Sequence, residues 1–116
     1  MCKSYLYCYV ASPYSLPATP EGRADNLARA MAVYDELMCT GQIIPFAPLL
    51  NTLWEQYYDH DETFWLEWDF GWLKKCHCLL RLPGISKGAD AEELLAKTRG
   101  MPVFYSIKEL REHYGV

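Results

Sequence analysis

The sequence predicts an α/β protein, a three-layer sandwich in which a mostly parallel sheet of four or five strands is flanked by helices. Strand-like and helix-like segments alternate as β-α-β-α-β-α-β-α, and parallel neighbours need the crossovers that helices supply. The strand candidates are short runs closed by Pro or Gly, and the helix candidates repeat apolar residues at a helical period. At 116 residues the chain has the length of a single domain, taken as residues 1–116, with one core.

The first strand, Tyr5 to Ala11, is rich in aromatic side chains and ends where "SPYSLPATPEG" forbids continuation. From Arg23 to Cys39, Leu27, Met31, Tyr34 and Met38 recur at helical spacing, and Gly41 is the stop signal. "QIIPF" is a short second strand, and "APLLNTLWEQYYDHDE" reads as a loop or irregular helix. Glu62 to Cys76 is helical and His77 to Leu82 is the third strand. A helix from about Ala89 stops at Gly100, after which "MPVFY" and "SIKELREHY" close the chain as strand and helix.

The formal net charge of -4 lacks the basic bias that favours duplex nucleic acid or an anionic membrane, so neither partner is expected. Five cysteines, Cys2, Cys8, Cys39, Cys76 and Cys78, are an odd number without a disulfide framework, which indicates reduced thiols and a cytoplasmic protein. "KSYLYCYVAS" imitates a signal peptide faintly, but its apolar run is brief and tyrosine-rich and suits a buried strand. No run approaches the roughly 20 apolar residues of a membrane span. Cys76, His77 and Cys78 are metal-ligand types, yet neighbours entering a strand point to opposite faces, so no metal is expected.

In open α/β sheets ligands bind beyond the carboxyl ends of strands, which singles out "ASPYSLPATPEGR" after the first strand and "PGISKGAD" after the third. The second loop offers backbone N–H groups, Ser86, Lys87, Gly88 and a helix N-terminus, all suited to a phosphate or carboxylate. It is neither a P-loop nor a G-x-G-x-x-G turn, and from spacing alone an ordinary turn with Asp90, Glu92 and Glu93 complementing the helix dipole is the better account. In the preceding helix, Trp65, Asp69, Trp72, Leu73 and Cys76 share one face, which places Asp69 inside an apolar stripe. Such a carboxylate either bonds loop N–H groups or holds a raised pKa suited to proton transfer. Phe64, Trp68 and Phe70 make the helix apolar on its other sides, which suggests burial between subunits. Arg23, at the start of the first helix, is a candidate for a ligand anion.

Through "YVASPYS", "PFAPL", "FWLEWDFGWLKKC" and above all "LPGISKGADAEELLAKTRGMPVF", most of the chain resembles the nucleoside 2-deoxyribosyltransferase-like superfamily, and within it the nucleoside 5'-monophosphate N-glycosidases. The resemblance implies a Rossmann-like or flavodoxin-like fold, no cofactor, and a homodimer or higher homo-oligomer. It implies that Glu92, four residues before Ala96, is the nucleophile on the anomeric carbon. Ser86, six residues ahead of Glu92, stands where the monophosphate glycosidases have a phosphate-binding serine and the nucleoside transferases an aspartate. Asp69 matches the second carboxylate and Tyr9 the tyrosine ending the first strand, with Tyr7 as the alternative. Ser12, Pro13 and Tyr14 replace the family's glycine-rich first loop. Ser12, Tyr14 and Asn51, together with Gly88, Lys87 and Arg23, are taken as further substrate contacts. Trp65 and Trp72 are expected to flank the pocket and Trp68 to lie at a subunit contact.

The function expected is hydrolysis of the base–sugar bond of a ribo- or deoxyribonucleoside 5'-monophosphate. The alternatives are a nucleoside deoxyribosyltransferase, a glycohydrolase of a dinucleotide such as NAD, and a nucleotide sensor that binds without turnover.

Overall fold

The computed structural model describes residues 5–14 and 18–116; Cys2, counted above among the reduced thiols, lies outside them. Strands β1 (Leu6–Ala11), β2 (Ile43–Phe46), β3 (Cys78–Arg81) and β4 (Val103–Phe104) form one sheet in the order β2-β1-β3-β4, every pairing parallel. Helices α1 (Pro20–Cys39), α2 (Asn51–Glu55), α3 (Glu62–Leu73), α4 (Lys87–Thr98) and α5 (Ile107–Tyr114) complete the alternation.

Side chains alternate across a strand, and β1 divides two cores accordingly. Cys8 and Val10 join Leu37 of α1 and Leu110 of α5 on one face. Tyr9 and Ala11 join Leu73 of α3 and Ala89 and Ala96 of α4 on the other. With helices on both faces, the central strands β1 and β3 are buried almost throughout, which is why they read as near-continuous apolar runs. Cys76 packs against the second core and Cys78 lies in the first, so these two thiols do sit on opposite faces. Among the described residues no group of three His, Cys, Asp or Glu is arranged to hold a metal ion, and no helix is long and apolar enough to cross a membrane.

Helix starts follow their caps more closely than their apolar stripes. Helix α1 begins at Pro20 rather than Arg23, because Thr19 accepts the Gly22 N–H at 3.0 Å and proline suits the first helical turn. Helix α4 begins at Lys87 rather than Ala89, capped by Ser86, whose hydroxyl accepts the Ala89 N–H at 3.1 Å. Helix α3 starts at Glu62 as expected, under the Asp61 carboxylate, but stops at Leu73 and turns through Lys74 and Lys75. The stretch from 47 to 62, which reads as a loop or irregular helix, contains a 3-10 turn, Pro48–Leu50, and α2. Pro45 is accommodated because β2 is an edge strand.

The chain leaves β1 for β2 on one side, while β3 lies on the other, so the strand order reverses between β1 and β3. The crevice at their carboxyl ends is the ligand-binding position of such sheets. The loops after the two strands touch there. Gly84, at φ +125°, has no room for a side chain, since a Cβ would come within 2.7 Å of Pro13 Cγ. Gly84→Ala is therefore expected to cost about 1–3 kcal/mol, read as a lower urea midpoint at unchanged m-value.

Candidate active site

Arg81, the last residue of β3, organises one wall of the crevice. Its guanidinium is buried and donates to the carbonyls of Leu82 and Gly84, the latter at 2.9 Å. It also pairs with Asp90 at 3.0 Å and lies 3.6 Å from Glu93. Glu93 in turn accepts from Lys97 at 2.8 Å and from the Tyr105 hydroxyl at 3.0 Å, and these donors hold its carboxyl below the usual range, Lys97 foremost. Two of the three acidic residues at the start of α4 thus bind the β3 arginine.

The third does not. Glu92 is 6% exposed and lies between Ala89 and Ala96 on the face of α4 that packs on the sheet. Its Oε2 is buried with no hydrogen-bond partner among the described residues, and so is the hydroxyl of Tyr9 on β1 beneath the same layer. Burial alone pushes the Glu92 carboxyl up to about 8. A buried carboxyl with an unpaired oxygen is costly to folding, and such groups concentrate at functional sites.

Another wall is built by α2 and α3, around a cavity distinct from the depression that Arg81, Asp90 and Glu93 line. Asn51 Nδ2 donates to Asp69 Oδ1 at 2.9 Å, and both line a cavity of about 450 Å3 with Tyr14, Thr52, Glu55 and Trp65. Burial pushes the Asp69 carboxyl up to about 7, against the lowering effect of the Asn51 amide. The Trp65 indole N–H is held by Glu55, which sets the ring against the cavity. Trp54 meets Trp65 edge-on at 5.1 Å and Trp68 likewise at 5.1 Å, so an aromatic cluster backs this wall.

The structure thus gathers Tyr14, Asn51, Asp69 and Trp65 around one cavity. It places Glu92 and Tyr9 in the adjoining core layer; among the described residues neither lines that cavity. Ser12, at the end of β1, borders a separate recess of about 290 Å3 with Asn26 and Arg29 of α1. Burial pushes the nearby Tyr34 hydroxyl up to about 12; Ser12 eases this, although neither oxygen reaches hydrogen-bond geometry. Ser86 serves first as the cap of α4. Lys87 and Arg23 are exposed at helix starts and line neither cavity, and a methyl on Gly88 would meet only Ser86 Oγ, at 4.0 Å.

Two expectations change. Trp72 does not flank the cavity: two turns beyond Trp65 on nearly the same face of α3, it stacks on Phe46 at 5.5 Å and is 46% exposed. Tyr7 is no substitute for Tyr9, since it stacks on His77 toward the other end of the strand, its N–H bonded to His77 Nδ1 at 2.9 Å. Arg81 and Glu55 were not singled out from sequence. An arginine ending an otherwise apolar strand was the available signal for the first; the second lay in a segment with no readable periodicity.

Arg81→Met is expected to cost about 2 kcal/mol, because two loop carbonyls and two carboxylates lose their donor. For Glu92, the folded chain keeps a proton between the ordinary 4.5 and about 8 that the unfolded chain has lost. Its contribution to stability is therefore full below 4.5 and falls by roughly 1.4 kcal/mol per unit as pH rises to about 8. Glu92→Gln should flatten that slope, losing about 3 kcal/mol less than the parent between pH 5 and 8 in urea melts. No protein-family model matches the chain, and no curated protein matches it.

Proposed function

We propose that the protein is an N-glycosidase that hydrolyses the base–sugar bond of a nucleoside 5'-monophosphate. The observation that carries this reading is Glu92, a carboxyl buried with an unpaired oxygen beside the sheet's switch point, six residues into the helix that Ser86 caps. At about 1.5 Å per residue, Ser86 and Glu92 are about 9 Å apart along the axis, and helical side chains lean back toward the N-terminus. That span suits a ribose 5-phosphate lying along the first turns of α4.

The two walls divide the substrate by charge. The cavity by Asp69 carries the carboxyl groups of Asp69 and Glu55 and the Trp65 ring, which suits a base and repels a phosphate. At the other end, Ser86 accepts from Ala89 yet keeps its own O–H to donate, beside Lys87 and the helix N-terminus. With the phosphate held there, the anomeric carbon lies toward Glu92. As the C1'–N bond breaks, its electrons leave with the base, which takes a proton from Asp69. The Glu92 carboxylate stabilises or captures the oxocarbenium carbon, and water releases the sugar phosphate. Substrate entry must uncover Glu92. The working form is taken to be a cytoplasmic homo-oligomer.

The covered Glu92 and the capping role of Ser86 favour, as the second reading, a nucleotide sensor without turnover. Incubation with ribo- and deoxyribonucleoside 5'-monophosphates, the matching nucleosides and NAD separates the two. Release of free base from monophosphates, reduced at least about a hundredfold by Glu92→Gln, is the expected result. No base from any substrate, with monophosphates raising the melting temperature of both forms equally, would leave the sensor. For the glycosidase, kcat/KM should peak between the Asp69 value of about 7 and the Glu92 value of about 8, because protonated Asp69 and ionised Glu92 are both required.

A further inference from the structure

Cys8 of β1 and Cys78 of β3 are direct partners across the parallel sheet, their Cα atoms in register. Side chains in register on neighbouring strands share a face, and both cysteines lie, 0% exposed, in the core that α1 and α5 close. Paired strands run about 4.8 Å apart, inside the span of about 4.4–6.8 Å that a disulfide tolerates between Cα atoms. Cys39 is exposed at the end of α1 and Cys76 packs on the opposite face of the sheet, so the register selects these two thiols from the four described.

The two sulfurs are chemically unequal. A hydrogen bond from Cys8 to Cys78 is the foremost cause pushing the Cys8 thiol well above its ordinary range, and the same bond foremost holds the Cys78 thiol below it, against the raising effect of burial. The Tyr114 hydroxyl of α5 also lowers Cys78. Cys78 is therefore the nucleophile of the pair and Cys8 its resolving partner. Burial keeps both unreactive while the core is closed. Part of that cover is α5, an eight-residue helix whose one fully buried residue is Leu110. A short helix held by so few buried contacts opens locally at a fraction of the free energy of global unfolding.

We propose that Cys8 and Cys78 form an oxidative modification site, a dithiol under α5 that closes to a disulfide between β1 and β3 on reaction with hydrogen peroxide. The Cys78 thiolate attacks one peroxide oxygen, the O–O bond breaks, and the hydroxide released takes up the proton that Cys78 lost. The Cys8 sulfur then attacks the Cys78 sulfenic acid; the S–S bond forms, and the hydroxyl leaves with the Cys8 proton as water. The two thiols together lose two electrons and two protons, and one peroxide becomes two waters. The bond ties together the two strands whose carboxyl ends frame the crevice, and the proposal stands whether or not the protein is catalytic.

Peroxide treatment of the reduced full chain, quenched with N-ethylmaleimide in denaturant and followed by intact mass and peptide mapping, tests it. The parent should lose two hydrogens, take up two fewer maleimides, and yield a linked peptide joining Cys8 to Cys78. Cys39→Ala should close at the parent's rate, whereas Cys78→Ala should not close at all. Leu110→Ala should close at least about threefold faster, because it loosens α5. The linkage map is read on the parent, so it decides the matter even where a core variant fails to fold. A parent whose Cys39 is oxidised while Cys8 and Cys78 stay free, a disulfide joining either of them to another cysteine, or a closure rate indifferent to Leu110→Ala would each overturn the proposal.

Discussion

The buried guanidinium of Arg81 is the contact on which the crevice depends. It leaves β3 on the side of the sheet that carries α3 and α4, two residues beyond Leu79 in the same core. By binding the carbonyls of Leu82 and Gly84 it sets the path of the turn, and by binding Asp90 and Glu93 it sets the rotation of α4 about its axis. Asp90 and Glu93 are three residues apart and share one helical face, so once that face meets Arg81 the sheet-facing side must carry Ala89, Glu92 and Ala96. The buried acid is thus a consequence of the paired ones. Burying an arginine is unfavourable unless its donors are used, and here four acceptors surround it, two of them on a loop that would otherwise have no reason to hold one shape.

Several local features run against stability. Glu92 Oε2, the Tyr9 hydroxyl and the Ser12 hydroxyl are buried without partners among the described residues, all near the carboxyl ends of β1 and β3 or the helix that follows. Each such group costs roughly 1–3 kcal/mol that an apolar residue of similar shape would not. The Tyr34 hydroxyl and the Trp68 indole N–H are buried in the same way, so three of the five such groups among the described residues gather at the place where this topology binds ligands. The two carboxyl groups differ in character as well: Asp69 keeps a hydrogen bond and a cavity beside it, whereas Glu92 has only burial. Burial raises both, to about 7 and about 8, so the two differ in their partners more than in their titration.

Helix α3 serves three neighbours at once. Leu73 enters the core, Trp65 and Asp69 face the cavity, and Trp68, Gly71 and Trp72 face outward. A helix apolar all round has no single stripe, so its pattern says that it is covered but not by what. An unbroken series of rings, Tyr9 to Phe46 to Trp72 to Trp68 to Trp54 to Trp65, joins the sheet, the outer face and the cavity wall. Packed rings move together more readily than singly, which gives the outer face of α3 a physical route to the cavity.

The alternation of elements, the parallel sheet and the inward placement of Asp69 were legible in the sequence, because each rests on periodicity within a single segment. The caps Thr19 and Ser86 mark their helix starts more accurately than the apolar stripes, which place them at Arg23 and Ala89. The pairing of Asn51 with Asp69 lay beyond sequence reasoning, since it joins residues 18 apart across a segment without a readable period. The departure of Trp72 from the cavity that Trp65 lines was hidden for a related reason. Both lie near the Asp69 face of α3, and only the position of α2 and the edge strand decides which of them meets the cavity. Arg81 is the clearest case. Its sequence neighbours mark it as the end of a strand, but its partners come from the loop and helix that follow, and no local rule chooses among Asp90, Glu92 and Glu93. Tertiary structure made that choice, because one buried guanidinium can satisfy only the acids that share its side of the helix.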